Sequence, residues 1–96
     1  MSYFVILWNC SEQGIRNVKD SPRRAESFKA LFETKGGKLD GMYYTFGQYN
    51  GVSIVEAPDD ATLMSILLFI GKQGNARSLT LKAFAYDEAT KIVENL

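Results

Sequence analysis

Glu56 is the side chain in this sequence best equipped for acid–base chemistry. It stands in an otherwise mostly apolar run, Val52-Ser53-Ile54-Val55-Glu56-Ala57, and strand alternation places it on one face with Tyr43 and Thr45. A carboxyl half-buried at such a surface holds its proton more tightly, because burial disfavours the charged form, and it can then work as an acid or a base. Its plainer role is an ion pair with Lys82 or Arg77 across the sheet. Tyr43, Thr45, Tyr49 and Glu56 together make a mixed aromatic and polar set suited to a small molecule, although aromatic residues on strands also serve ordinary packing. A second constellation is cationic. Arg16, Arg23 and Arg24 gather with Lys19 around Ser21 at the start of a helix, where free backbone N–H groups favour an anion. Seven of the eleven basic residues lie between Arg16 and Lys38, against three acids. A solvated basic face is the plainer account of that run.

The remaining chemistry is sparse. Histidine is absent, which removes the commonest general base and the commonest metal ligand. The one cysteine, Cys10, cannot form an internal disulfide and has only Lys or Arg to activate it. It reads as a packed thiol in a reducing, cytoplasmic setting. Outside Asp59-Asp60, which have a capping role, the carboxylates are scattered, so neither a metal site nor a cofactor is expected. Eleven basic residues balance eleven acidic ones, which argues against nucleic acid as the partner. The longest mainly apolar run, Leu63 to Ile70, is too short to span a bilayer. The start Met1-Ser2-Tyr3-Phe4 lacks the charged region of a secretory signal.

These residues need elements to hold them. With 96 residues the chain is expected to form one domain, 1–96. Tyr3 to Asn9 reads as a strand. Ser11 to Lys19 is ambiguous between loop and helical turn. Ser21-Pro22 reads as a cap followed by the first helical residue, with Ala25, Phe28, Leu31 and Phe32 at helical spacing and Gly36-Gly37 as the stop. Leu39 to Phe46 and Val52 to Ala57 read as two strands. Asn50-Gly51 between them signals a two-residue turn, or Gly47 to Asn50 a four-residue one. Asp59 or Asp60 caps a helix ending near Lys72, Ser78 to Phe84 is a fourth strand, and Tyr86 to Leu96 a short helix. The order β-α-β-β-α-β-α predicts an α+β, ferredoxin-like antiparallel sheet with both main helices on one face.

Either hairpin loop assigns the same faces. Met42, Tyr44, Phe46, Val55 and Ala57 go to the helices. Tyr43, Thr45, Val52, Ile54 and Glu56 go to the other side, with one alternate set from the first strand. Burying five such side chains is worth roughly 1.5–3 kcal/mol each before the costs of association, so a second copy is expected to cover that face. The helix Leu63 to Ile70 is apolar beyond one stripe, through Met64, Leu68 and Phe69. The expectation is that the C-terminal segment covers it; the alternative is a second interface.

Several segments taken in order resemble the GYD-domain family: Gly14-Ile15-Arg16-Asn17-Val18-Lys19-Asp20-Ser21-Pro22, Gly37-Lys38-Leu39, Gly47-Gln48-Tyr49-Asn50, Ile54-Val55-Glu56-Ala57-Pro58-Asp59-Asp60 and Gln73-Gly74-Asn75-Ala76-Arg77. The resemblance spans nearly the whole chain. It implies a dimeric α/β-barrel type of assembly and membership of a group of small proteins of largely undefined activity. The family's name refers to Gly-x-Tyr-Asp, and Asn50 stands at the aspartate position. If that residue shapes a turn, asparagine serves as well.

Three functions remain open on this reading. The first is an oligomer that binds a small aromatic or anionic molecule, in a pocket between sheet and helices or at the dimer seam, with Tyr43, Tyr49 and Glu56 as first candidates. The second is a cofactor-independent enzyme of the oxygenase or isomerase kind, which rests on fold analogy alone. The third is a protein–protein assembly module. Membrane and nucleic acid are not expected partners.

Overall fold

Branched and aromatic residues crowd the first segment, and it runs extended as β1 (Ser2–Cys10). The computed structural model describes residues 1–96. After β1 come α1 (Glu12–Arg16), a 3-10 turn (Val18–Asp20), α2 (Ser21–Thr34), β2 (Lys38–Tyr44), β3 (Gly51–Ala57), α3 (Asp60–Lys72), β4 (Ala76–Ala83) and α4 (Tyr86–Glu94). The strands form one antiparallel sheet in the order β2-β3-β1-β4. This is the ferredoxin-like arrangement that the element order implies, with α2 and α3 on one face.

The ambiguous stretch after β1 resolves into a helical turn. Ser11 caps it by accepting the Gly14 N–H at 3.0 Å. Gly14 is required there because a Cβ would lie 1.9 Å from the Asn75 carbonyl oxygen. Ser21 does not cap α2: it is the first helical residue, Asp20 occupies the cap position without a side-chain bond, and the Ser21 hydroxyl shares a 2.6 Å hydrogen bond with the Tyr44 hydroxyl. Asp59 caps α3 by accepting the Thr62 N–H at 2.8 Å, which holds its carboxyl below the usual aspartate range.

The hairpin corrects the turn assignment. β2 ends at Tyr44, opposite Gly51, so residues 45–50 form a longer connection than either expected turn. Its even length preserves the faces. Phe46 leaves the strand and is fully exposed, so it is not a helix-facing residue. Asn50 has no left-handed backbone; Gly47 carries the positive φ of 95°. Asn50 is instead a clamp between the loop and the end of β1. Its Oδ1 accepts the Cys10 N–H at 2.8 Å, and its N–H donates to the Trp8 carbonyl and to Asn9 Oδ1, both at 2.9 Å. An aspartate offers the same acceptor oxygen.

The packed core sits at one end of the helix-covered face. Phe4, Ile6, Val55 and Ala57 from the sheet meet Phe32 from α2 and Leu63 and Ile66 from α3. Phe28 and Phe32 meet edge to face, with ring centres 4.9 Å apart. On the other sheet face, cross-strand rows read Leu79–Leu7–Val52–Tyr43 and Leu81–Val5–Ile54–Gly41. No element of the chain covers them, and Leu79, Leu81, Ile54 and Tyr43 stay exposed. The α3 stripe is also uncovered. Met64, Leu68 and Phe69 face outward, so the expectation that the C-terminal segment covers them is wrong: α4 makes no extensive contact with α3, and its own Ile92 and Val93 are exposed. The whole chain exposes 6637 Å², whereas a compact monomer of this mass exposes about 5,500 Å².

Candidate functional site

The helix-covered face of the sheet divides in two. Beyond the core, at the Trp8 end, the facing positions carry little bulk: Gly51 and Ser53 on β3, Ser21 and Ala25 on α2, and Gly71 on α3. Side chains this small cannot fill the space between two helices and a sheet, and a cavity of about 810 Å³ opens there. Phe28 and Leu31 of α2 and Leu67 and Ile70 of α3 form its apolar walls, and Trp8, Ser53 and Met42 its floor. The turn after α3 closes one end, tied to α1 by the Ser11 N–H donating to the Asn75 carbonyl at 3.0 Å and by Gln13 Nε2 donating to Asn75 Oδ1 at 3.0 Å.

Trp8 is the most constrained residue of the floor. Its ring lies across Gly51, where a Cβ would stand 2.0 Å from Cζ2, and it meets Tyr44 edge to face at 5.6 Å. Gly51 is therefore glycine for the indole's sake, not for a turn. Replacing Gly51 with alanine is expected to displace the indole and destabilise the chain by about 1–3 kcal/mol, the usual cost of overpacking. Urea denaturation followed by the single tryptophan's fluorescence reads both effects; an unchanged midpoint and emission maximum contradict the packing described. Two buried polar atoms on this floor, Trp8 Nε1 and Ser53 Oγ, have no hydrogen-bond partner. Such atoms are rare in folded proteins, because each costs about 1–3 kcal/mol if left unpaired.

The cationic set is partly brought together here. Ser21, Arg23 and Arg24 border the cavity, whereas Arg77 of β4 stands opposite Asn9, in the register that turns its side chain to the uncovered face with Leu79. Arg16 is not part of the group; it pairs with Glu12 on the exposed side of α1. Arg24 Nη1 donates to the Asn17 carbonyl at 3.0 Å, which fixes its direction. Lys82 pairs with Asp60 at 2.9 Å on the helix side, and Arg77 stands opposite Asn9, at the other end of β1 from Tyr3, which is opposite Glu56. Neither therefore pairs with Glu56.

Glu56 and Tyr43 lie on the uncovered sheet face but at opposite ends of the β2–β3 ladder, opposite Lys38 and Val52 respectively. Thr45 and Tyr49 lie in the hairpin loop, where the Thr45 hydroxyl donates to the Tyr49 carbonyl at 2.7 Å. None of these four lines the cavity. Glu56 nevertheless has unusual acidity. The Asp40 carboxyl beside it, within hydrogen-bonding reach, raises its pKa, burial adds to this, and Lys38 opposes it. Tyr3 is raised chiefly by the Glu56 charge. A carboxyl raised on folding adds stability that is fully present below its ordinary 4.5 and is lost as pH rises through the higher folded value. Glu56→Gln is expected to flatten that decline; denaturation midpoints across an acidic pH series check it, and an undiminished decline refutes the assignment. No group of three or more Cys, Asp or Glu is placed to hold a metal ion, and no helix is long and apolar enough to cross a membrane.

Sequence reasoning missed Ser53 as a site residue. The signal for Ser53 was present: once faces are assigned, a small polar residue falls on the buried side of a central strand.

Solved structures share this architecture. The crystal structure of FFRP-DM1 superposes with a TM-score of 0.63 at 19% identity, covering 88% of this chain and 100% of the other. That of TTHA0845 from Thermus thermophilus gives a TM-score of 0.55 at 18% identity, covering 88% and 95%. At such identities the likeness shows the fold alone. In sequence, a Thermus thermophilus protein named glutamine synthetase and cystathionine beta-lyase binding protein is 27% identical over 84 residues, 86% of this chain and 88% of that one. The family model described as GYD domain matches residues 4–93, and the chain belongs to that family.

Proposed function

We propose that this chain is a binding module rather than an enzyme, working as a pair of identical copies that each hold one small molecule between sheet and helices. The observation that carries the reading is the cavity of about 810 Å³, within the 300–1,000 Å³ typical of ligand sites, with a floor that keeps two polar atoms unpaired. Catalysis has less support. The best acid–base group, Glu56, lies on the opposite face of the sheet from the cavity, and the cavity's lining contains no carboxylate.

Pairing rests on the uncovered face. Its rows of Leu, Val and Ile are continuous across the sheet. The chain's surplus exposure over a compact monomer, about 1,100 Å², is close to the roughly 800 Å² per partner that a standard interface buries. A second copy presents the same rows to the first. The cytoplasm, where Cys10 stays reduced, suits such a module. Native mass spectrometry in the presence of a mixture of small aromatic and aliphatic acids tests the reading. It predicts particles of twice 10.8 kDa carrying one small molecule per chain; single, empty chains would refute it.

A second reading, a protein-docking module, is favoured by the outward stripe Met64, Leu68 and Phe69 on α3 and by the name of the Thermus relative. On this reading α3 is the docking helix. Titration against glutamine synthetase and cystathionine beta-lyase from the source organism, with Leu68→Lys as the control, decides it. Binding lost in the variant supports the reading, and no binding to either enzyme refutes it.

A further inference from the structure

We infer that the cavity selects organic anions: an apolar body seated between α2 and α3, and an oxyanion held at the mouth by Arg23 and Arg24. The inference rests on the binding role proposed above and narrows its ligand. Its basis is an imbalance of charge. The chain as a whole is neutral, with eleven basic and eleven acidic residues. The cavity nevertheless has Arg23 and Arg24 at its edge and not a single aspartate or glutamate among the 23 residues lining it. The chain's ion pairs are Arg16–Glu12, Lys38–Asp40 and Lys82–Asp60. Both arginines at the cavity thus lack a carboxylate partner.

Arginine forks suit planar or tetrahedral oxyanions, and a charge beside an apolar wall is screened less than one on an open surface. Arg23 and Arg24 both come from the first turn of α2. In that first turn they oppose the helix dipole, so they cost helix stability unless an anion meets them. The walls exclude a bare inorganic ion as the preferred guest. Phe28, Leu31, Leu67 and Ile70 offer nothing to its hydration shell, while an aromatic or aliphatic body removes their surface from water.

The test uses two fluorescent probes of similar shape on the full chain: 1-anilinonaphthalene-8-sulfonate, an anion, and N-phenyl-1-naphthylamine, which is neutral. The anion is expected to bind saturably at one per chain. Arg23→Gln with Arg24→Gln is expected to weaken it by about 10- to 100-fold, the usual scale for losing charge-assisted hydrogen bonds, and to leave the neutral probe unchanged. Ser53→Leu, which fills the floor, is expected to abolish both, with a thermal melt confirming that the variant is folded. Ala25→Leu blocks the cavity from the helix side if Ser53→Leu does not fold. Equal binding of the two probes, or an anion affinity indifferent to the arginine changes, overturns the selectivity while leaving a cavity that binds. Binding of both probes that survives both cavity-filling variants overturns the cavity reading itself. Inorganic phosphate at millimolar concentration is expected not to compete; full competition would also overturn the claim that the apolar body is required.

Discussion

Ile54→Lys is expected to convert paired chains into single ones. Ile54 stands on a central strand of the uncovered face, directly opposite Val5, and 39% of its surface is exposed in the single chain. The lysine is therefore solvated in a monomer and disturbs no core contact. In the pair it becomes an unpartnered ammonium buried twice, once from each copy, at a cost of several kcal/mol. Association should weaken by about 100-fold or more, since each 1.4 kcal/mol is a factor of ten. Light scattering across a dilution series reads the change. A variant that keeps the parent's mass would show that this face is not the seam. Its thermal melt as a monomer should stay cooperative, which separates lost association from lost folding.

Phe32→Ala should give the largest loss of stability. Phe32 is fully buried, packs edge to face on Phe28 at 4.9 Å, and joins the core residues Val55, Leu63 and Ile66. Truncating a buried phenyl ring costs about 3–5 kcal/mol in transfer and cavity energy, against a total of about 5–15 kcal/mol for a domain. Urea denaturation is expected to show that fall. Leu31→Ala, one residue away but on the cavity wall, should cost clearly less, because Leu31 already borders empty space. Equal losses at the two positions would contradict the division of this face into core and cavity.

That division also marks how far the sequence could be read. The helix–strand order, the antiparallel sheet and the bare apolar face all follow from periodicity and from the even spacing of Tyr44 and Gly51, whatever conformation the loop adopts. The Asn50-Gly51 pair misled. Its residue types match a tight turn, but Gly51 is needed for the indole that lies across it, and Asn50 for its hydrogen bond to Cys10, and neither contact is local in sequence. The cavity was hidden for a related reason. Empty space is set by which small residues face one another, and Ser53, Ala25, Ser21 and Gly71 come from three elements. Met64, Leu68 and Phe69 were legible as apolar excess, but the direction α4 takes after Ala83 decides whether they are covered.

The single tryptophan offers the most direct measurement. Its indole borders the cavity, and its N–H gives one resolved resonance in a nitrogen–proton correlation spectrum. On titration with 1-anilinonaphthalene-8-sulfonate, that resonance and the amides of Leu31, Ser53 and Ile70 are predicted to shift together, while Val5 and Leu79 on the opposite sheet face hold still. A titration that moves Val5 and Leu79 and leaves the indole in place would contradict a ligand site between sheet and helices.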